Sequence, residues 1–418
     1  MPHTDYDVVI AGGGMVGASL ALSLYTRSKG RLRVLVVESF ALPPLAESGS
    51  PTYRPSFDAR STALSYGSQQ IYRELGVWPQ LQAHQSAIAK VHVSDRGHFG
   101  SVLMTAESQG WEALGYVVEN MWLGNVLLNH LRQHTNVAFL SPAKVVEIDV
   151  ADGYATLSLQ EGDTQRDITT QLVAVADGAE SSLRSQLGIA TSVSEYHQLA
   201  VIANVATELP HKGCAYERFT ERGPLALLPL VDDGSGQSRS ALVWTFPDKM
   251  AEEVMAWSDS EFLAELQRNF GYRLGRLQKV GQRASFPLQL MQAEEQVRSQ
   301  LVVMGNAAHS LHPVAGQGFN LALRDADSLS CLLAAAHSEK RALGELSLLQ
   351  RYLASQDLDQ RVTTAFSDQL TGIFSNRKPV LSVVRNLGLL LLDVTPAAKS
   401  RFVARAAGIM PGSSAESS

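Results

Sequence analysis

His309 and His312 stand three residues apart beside Pro313, just ahead of Gly316 and Gly318, in the stretch GNAAHSLHPVAGQGFNLALRD from Gly305 to Asp325. Three chemistries suit these residue types: a metal site, a phosphate cradle, or a bed for a flat ring. The metal reading fails on ligand number. No cysteine or third ligand is adjacent, and Pro313 follows His312 at once, so no metal is expected. The other two readings survive. Gly316 and Gly318 let backbone N–H groups approach a ligand, and the helix expected from about Gly318 points its N-terminus at it.

A second cluster of glycines opens the chain. Asp7 to Ala11 is a short apolar run rich in β-branched residues, which predicts a buried strand. Gly12, Gly14 and Gly17 follow as G-x-G-x-x-G, then an apolar helical pattern from Met15 to Tyr25, then LRVLVVE ending at Glu38. Strand, glycine turn, helix, strand and acid together form the dinucleotide fingerprint. Gly12 permits the turn, Gly14 admits a pyrophosphate, and Gly17 lets helix and strand pack. The helix N-terminus favours the phosphates, and Glu38 is placed to accept from ribose hydroxyls. Both FAD and NAD fit this fingerprint. A third stretch, LVAVADGAESSLRSQLG from Leu172 to Gly188, predicts a strand, a sharp turn at Asp177 and Gly178, and a helix capped near Ser181, with Arg184 inside it.

Taken in order, the three stretches resemble the FAD-binding motifs of the flavin-dependent aromatic hydroxylases, the para-hydroxybenzoate hydroxylase fold. DARSTALS, Asp58 to Ser65, is similar to the D-x-R stretch after the second strand of those enzymes. The resemblance spans roughly residues 5 to 400. VHVSDRGHFG, LAVIANVAT and ERFTERGPLALLPL look most like the 2-polyprenyl-6-methoxyphenol hydroxylases of ubiquinone biosynthesis. Most of the superfamily has Gly-Asp where this chain has Gly305-Asn306, and that acid contacts the ribityl chain. Asn306 keeps an acceptor oxygen and loses the charge, and this branch also reads Gly-Asn.

The resemblance implies an α/β fold. A Rossmann-like FAD-binding domain would take residues 1–74, 112–185 and 281–345. A mixed or antiparallel sheet for substrate would take 75–111 and 186–280, with a helical segment at 346–418. It also implies a monooxygenase that uses NAD(P)H and O₂, through a flavin C4a-hydroperoxide, to hydroxylate a polyprenylated phenol para to its oxygen. No second fingerprint is present, so the nicotinamide would bind transiently. The implied catalytic positions are Arg60, near the ring or the nicotinamide approach, and Pro313 and Gly316 along the ring edge. Gly305 and Asn306 would face the ribityl chain, Asp177 the ribityl or pyrophosphate region, and Asn320 would donate from the first turn of the helix. Arg184 would orient its loop. A helix N-terminus at Gly318 would stabilise charge on the reduced ring.

Strands with turn residues between them fill residues 186 to 285: LAVIANVATEL, GCAYERFTE, GPLALLPLVD and RSALVWTFP. They predict an antiparallel sheet covering the cofactor domain. Phe219, Leu227, Trp244 and Phe246 are candidates to line a substrate pocket, although strand aromatics are more often core. As bases for the phenol, His92, His98, His309 and His312 are candidates, and none stands out.

Composition narrows the rest. The chain has 418 residues, 45% hydrophobic and 18% charged, with a net charge of −6, which gives no bulk attraction to nucleic acid. Two distant cysteines argue against a disulfide framework. Neither a signal peptide nor an apolar run of about 18 residues is evident, so a cytoplasmic protein is expected. From residue 370 onward Arg377, Lys378, Arg385, Lys399, Arg401 and Arg405 face Asp393 and Glu416, a local excess of +4. KPVLSVVRNLGLLLLDVTP there reads as a helix lying on a membrane surface, on a partner in a multiprotein complex, on a second copy in a homo-oligomer, or on the protein's own core. Two enzymatic alternatives stay open: hydroxylation at another ring position, and a prenyl-lipid reductase that keeps FAD but adds no oxygen. A halogenase would show W-x-W-x-I-P, which none of the five tryptophans does. A pure scaffold would need no G-x-G-x-x-G.

Overall fold

The first strand is apolar from Val8 to Ala11 because both of its faces are covered. The computed structural model describes residues 4–45, 51–53, 56, 60–96, 101–232, 234, 236–311 and 317–375, with side chains to 364. The chain opens with β1 (Tyr6–Ala11), α1 (Met15–Ser28), β2 (Val34–Val37), β3 (Ser61–Ser65), α2 (Tyr66–Glu74), α3 (Trp78–Gln82), β4 (Gln85–Ile88), β5 (Lys90–Asp95), β6 (Ser101–Thr105) and β7 (Gly115–Glu119). It continues through α4 (Asn120–His134), β8 (Ala138–Leu140), β9 (Lys144–Ala151), β10 (Tyr154–Glu161), β11 (Thr164–Val175) and α5 (Ser182–Gln186). Next come β12 (Thr191–Thr207), β13 (Cys214–Phe219), β14 (Pro224–Leu230), β15 (Ser238–Pro247), α6 (Ala251–Ala256) and α7 (Asp259–Phe270). The last elements are β16 (Leu277–Val280), β17 (Ala284–Ala293), β18 (Val297–Arg298), β19 (Leu301–Val303), β20 (His309–Ser310), α8 (Gln317–Ser338) and α9 (Leu346–Ser375).

One sheet runs β18-β19-β11-β1-β2-β8, with β10 and then β9 continuing from β11. β1 is parallel to both β2 and β11, and β11 is parallel to β19. Val8 and Ile10 pack with Leu20 and Leu24 of α1 and Val126 of α4. Val9 and Ala11 point the other way, onto Leu157 and Leu159 of β10. Coverage on both sides is what a near-continuous apolar strand signals. The parallel sheet brings the ends of β1, β11 and β19 to one edge, where all three glycine-bearing motifs begin.

The second sheet runs β20-β17-β12-β15-β14-β13-β5-β6, with β16 beside β12. The strands read from the middle of the sequence are all in it. The sheet also runs past residue 280, where the expected substrate domain ended, because β17 pairs along much of β12. One face packs on α7 through Leu227, Leu242, Trp244 and Phe246 against Phe262, Leu266 and Phe270. Ser258 starts α7 with a full capping box to Glu261. The other face meets a three-stranded sheet, β3-β7-β4, where Ala215, Leu230 and Ala241 pack on Ile88 and Val117. The junction is pinned by a buried ion pair, Arg239 Nη2 to Glu119 Oε1 at 3.1 Å. Arg239 also donates to the Ser56 and Val231 carbonyls at 2.9 Å, and Asn204 donates to Ser56 at 3.0 Å. Burial pushes the Glu119 carboxyl up, against the downward pull of Arg239.

Candidate active site

The glycine turn after β1 is shaped by what each position can hold. Gly12 has φ +110°, and a Cβ there would lie 2.4 Å from the Ala176 carbonyl oxygen. A Cβ on Gly17 would lie 1.9 Å from the Gly12 oxygen, so α1 is held against the turn by the missing side chain. Gly14 is the contrast: its Cβ would meet nothing within 4 Å. Two glycines thus serve close packing, and the third fronts open space at the start of α1, where free N–H groups point outward. Glu38 accepts from the Gly13 N–H at 2.7 Å and from the Phe40 N–H at 2.9 Å. Its carboxylate ties the end of β2 to the turn and keeps lone pairs for a ribose hydroxyl. The donors, the open position and the acid fit the adenosine diphosphate part of FAD.

The second and third motifs are fastened to each other. Ser181 caps α5 by accepting from the Arg184 N–H at 3.0 Å. Buried Arg184 donates from Nη1 to the Ala307 carbonyl at 2.9 Å. Arg184 therefore positions the backbone of the Gly305–Ala307 turn. Asp177 is exposed beside the site and accepts weakly from the Leu183 N–H at 3.4 Å. Gly305 is buried against Val16 of α1, and Asn306 is exposed. Gly318 lies in the first turn of α8, with Leu311 3.8 Å from where its Cβ would be. Pro313, Gly316 and His312 lie outside the described residues, as do Asp58 and His98.

Asn320 departs from expectation. It is 1% exposed, and its carboxamide oxygen accepts from the Ser65 N–H at 2.8 Å and the Ser68 hydroxyl at 2.6 Å. Its amide donates to the Ala63 carbonyl at 2.8 Å. Instead of a donor open to the cofactor, Asn320 is the clamp that seats β3 and α2 on α8. Arg60 sits at the other end of β3. It is exposed, and its guanidinium lies over the Phe286 ring of β17 at 5.7 Å, facing the second sheet.

Strand alternation assigns the pocket candidates. Leu227, Trp244 and Phe246 are wholly buried on the α7 face and do not line a site. Their neighbours do. On the opposite face, Val93, Glu217, Ala226, Val243, Ile202 and Ala284 lie in register across six strands. All six are part-accessible. In the row ahead Asp95, Phe219, Pro224, Thr245 and Ala200 are buried and only the end member Phe286 is part-accessible; behind it Ala215 and Ala241 are buried under Ile88 and Val117, with Val91 and Leu228 half-buried against them. An accessible row between buried ones is a trough. It spans five interstrand spacings, about 24 Å, and is apolar except for Glu217. Phe219 flanks it; of the four pocket candidates it alone is on this face.

The two described histidine candidates, His92 and His309, are elsewhere. His92 lies on the α7 face near Tyr216. His309 is 4% exposed, with Nε2 3.3 Å from Asp325 Oδ2. Burial disfavours both charges, pushing His309 down to about 4 and Asp325 up to about 7. The titratable group on the trough is Glu217, which the sequence reading missed. The signal was present: in CAYERF, Glu217 alternates with Ala215 and Phe219, away from Tyr216.

Residues 5–359 match the FAD binding domain family. The chain is 34% identical to ubiquinone hydroxylase UbiL of Rhodospirillum rubrum, over 97% of this chain and 90% of that protein. It is 30% identical to 3-demethoxyubiquinol 3-hydroxylase of Escherichia coli, over 98% and 100%. Among solved structures, p-nitrophenol 4-monooxygenase PnpA from Pseudomonas putida DLL-E4 shares the fold with a TM-score of 0.75 at 20% identity, over 96% and 97% of the two chains. With its three glycine motifs gathered at one sheet edge beside an apolar trough, the chain belongs to the FAD binding domain family, as an FAD-dependent aromatic hydroxylase.

Proposed function

We propose that the protein hydroxylates a polyprenylated phenol in ubiquinone biosynthesis, with NAD(P)H and O₂ as co-substrates, para to the phenol oxygen of 2-polyprenyl-6-methoxyphenol. The observation that carries this reading is the trough: a long apolar row with one polar group suits a ring bearing a hydroxyl and a long hydrocarbon tail. The full-length relatives named for ubiquinone hydroxylation support the same substrate class. FAD supplies the redox chemistry, and the protein supplies position and exclusion of water. Gly12 to Gly17 and Glu38 would hold the adenosine end. Arg184, through the Gly305–Ala307 turn, sets the backbone beside the ribityl chain. Asn320 fixes the first turn of α8 against β3, and the N-terminal dipole of α8 would favour the charge of a reduced ring bound there.

A second reading, hydroxylation at another ring position, draws on the Escherichia coli relative, a 3-hydroxylase of 3-demethoxyubiquinol by name. Among the described residues no helix is long and apolar enough to cross a membrane. A hydrophobic substrate would be met at the membrane surface through the basic, apolar segment at 378–396, which lies outside the described residues. That segment would equally serve a multiprotein complex or a homo-oligomer.

The deciding experiment loads the purified protein with FAD and supplies short-chain 2-prenyl-6-methoxyphenol, NADH or NADPH, and ¹⁸O₂. A product carrying one labelled oxygen para to the hydroxyl is expected. A labelled product hydroxylated elsewhere selects the second reading, and reduction without oxygen insertion overturns both.

A further inference from the structure

Glu217 is out of place by ordinary rules. It lies mid-strand, flanked across β5 and β14 by Val93 and Ala226, in a row whose other members are all apolar. Among the described residues no hydrogen bond or ion pair reaches its carboxyl. A carboxyl set in an apolar row without a partner is costly to keep, and such groups concentrate where function needs them. The other titratable or charged groups on this side are Asp95 on β5, Glu119 on β7 paired to Arg239 on β15, Tyr53 against that pair, and Arg60, whose guanidinium lies over Phe286 of β17. None contacts Glu217. His92, Tyr216 and Arg218 alternate to the α7 face. Enclosure alone pushes the Glu217 carboxyl up to about 7.

We propose that Glu217 binds the phenol hydroxyl of the substrate and takes its proton. This deepens the reading given under Proposed function and rests on it. A phenol ring is attacked by electrophilic oxygen far more readily as the phenolate, and the attacked carbon lies opposite the hydroxyl. The group that receives the proton therefore sits across the ring from the oxidant, at a protein wall. Ionisation breaks the O–H bond, leaves the electron pair on the ring oxygen, and places the proton on the Glu217 carboxylate. Oxygen derived from O₂, with NAD(P)H as reductant, adds a hydroxyl at the para carbon. Loss of the proton from that carbon restores the ring, and Glu217 returns its own proton to the phenolate oxygen. A base with an affinity for protons near neutrality is matched to this transfer.

The test uses the FAD-loaded protein, 2-prenyl-6-methoxyphenol and its O-methyl ether, and the variants Glu217→Gln and Glu217→Asp. In the wild type, kcat/KM for hydroxylation should rise with pH through about 7, as the carboxyl ionises. Glu217→Gln should lower hydroxylation on the order of 100-fold and remove that pH limb. It should still consume NAD(P)H, releasing peroxide. Glu217→Asp should recover part of the rate and the limb. Binding, read from the perturbation of the flavin spectrum, should favour the phenol over the ether in the wild type and lose its pH dependence in Glu217→Gln. If the wild type hydroxylates the phenol and Glu217→Gln matches it in rate, coupling and pH profile, the role of Glu217 is overturned and the function stands. If the wild type inserts no oxygen into any such phenol, both fall.

Discussion

The two faces of the nine-stranded sheet come from the same strands, one residue out of step, and they have been put to opposite uses. On the α7 side Leu242, Trp244 and Phe246 are each 0% exposed and locked among helix side chains. On the other side Val243 and Ile202, one residue along, are part-accessible. On β12 and β15 the large aromatics went to the closed face and aliphatics to the open one. Size in the sequence therefore marks where the sheet is stabilised, and smallness marks where a ligand fits.

The comparison breaks most sharply at its closed side. Trp244→Ala should cost about 3–5 kcal/mol in denaturant unfolding, because α7 cannot collapse into the gap, while KM for the phenol is unchanged. Trp244 Nε1 has no hydrogen-bond partner among the described residues. Trp244→Phe therefore removes an orphan donor along with some volume and should cost less than about 1.5 kcal/mol. A large KM effect in either variant would mean that the closed face takes part in binding. The open face has a closed end of its own, at Arg239. Arg239→Leu leaves Glu119 buried without its cation and should cost about 3 kcal/mol or more. The loss should grow as pH rises through the ionisation of Glu119, whose carboxyl burial already raises. Adding Glu119→Leu should restore most of the stability; failure to do so would show that the pair matters through Ser56 rather than through its charges.

The sequence made the cofactor side legible and the substrate side only by class. Strand, glycine turn and helix are local patterns, and Gly12, Gly14, Gly17 and Glu38 all lie where that pattern implies. The four middle strands were equally local. What failed was long-range. Asn320 reads as a free donor because nothing nearby in sequence announces that Ala63 and Ser65 will meet it. Leu227, Trp244 and Phe246 were chosen for aromatic or apolar character, when the phase of the alternation decided which face they took. Glu217 was passed over because a lone acid in a strand carries no motif; only the register across six strands shows it standing alone in an apolar row.

Filling the trough tests the open face directly. Ile202→Trp adds bulk at a part-accessible position, so unfolding free energy should move by less than about 1 kcal/mol. KM for a prenylated phenol should rise tenfold or more, about 1.4 kcal/mol of lost binding, with FAD content unaltered. An unchanged KM would place the substrate elsewhere on the sheet.

The smallest effect concerns stability alone and separates the two faces without any substrate. The Glu217 carboxyl titrates near 7 in the folded protein against 4.5 for the free group. The unfolded chain therefore releases its proton first, and folding favours the neutral form. Below about pH 4.5 both states are protonated and the wild type pays no charge penalty. Between there and pH 7 its stability falls relative to Glu217→Gln, and above pH 7 the difference is constant, at most about 3.4 kcal/mol and less for a part-accessible group. Glu217→Gln should thus be the more stable protein at pH 8, with the gap closing toward pH 4.5 in denaturant titrations. No substitution confined to the α7 face should give that profile. A gap that does not vary with pH would mean that water reaches the carboxyl freely, and the trough would then be an open groove rather than an enclosed site.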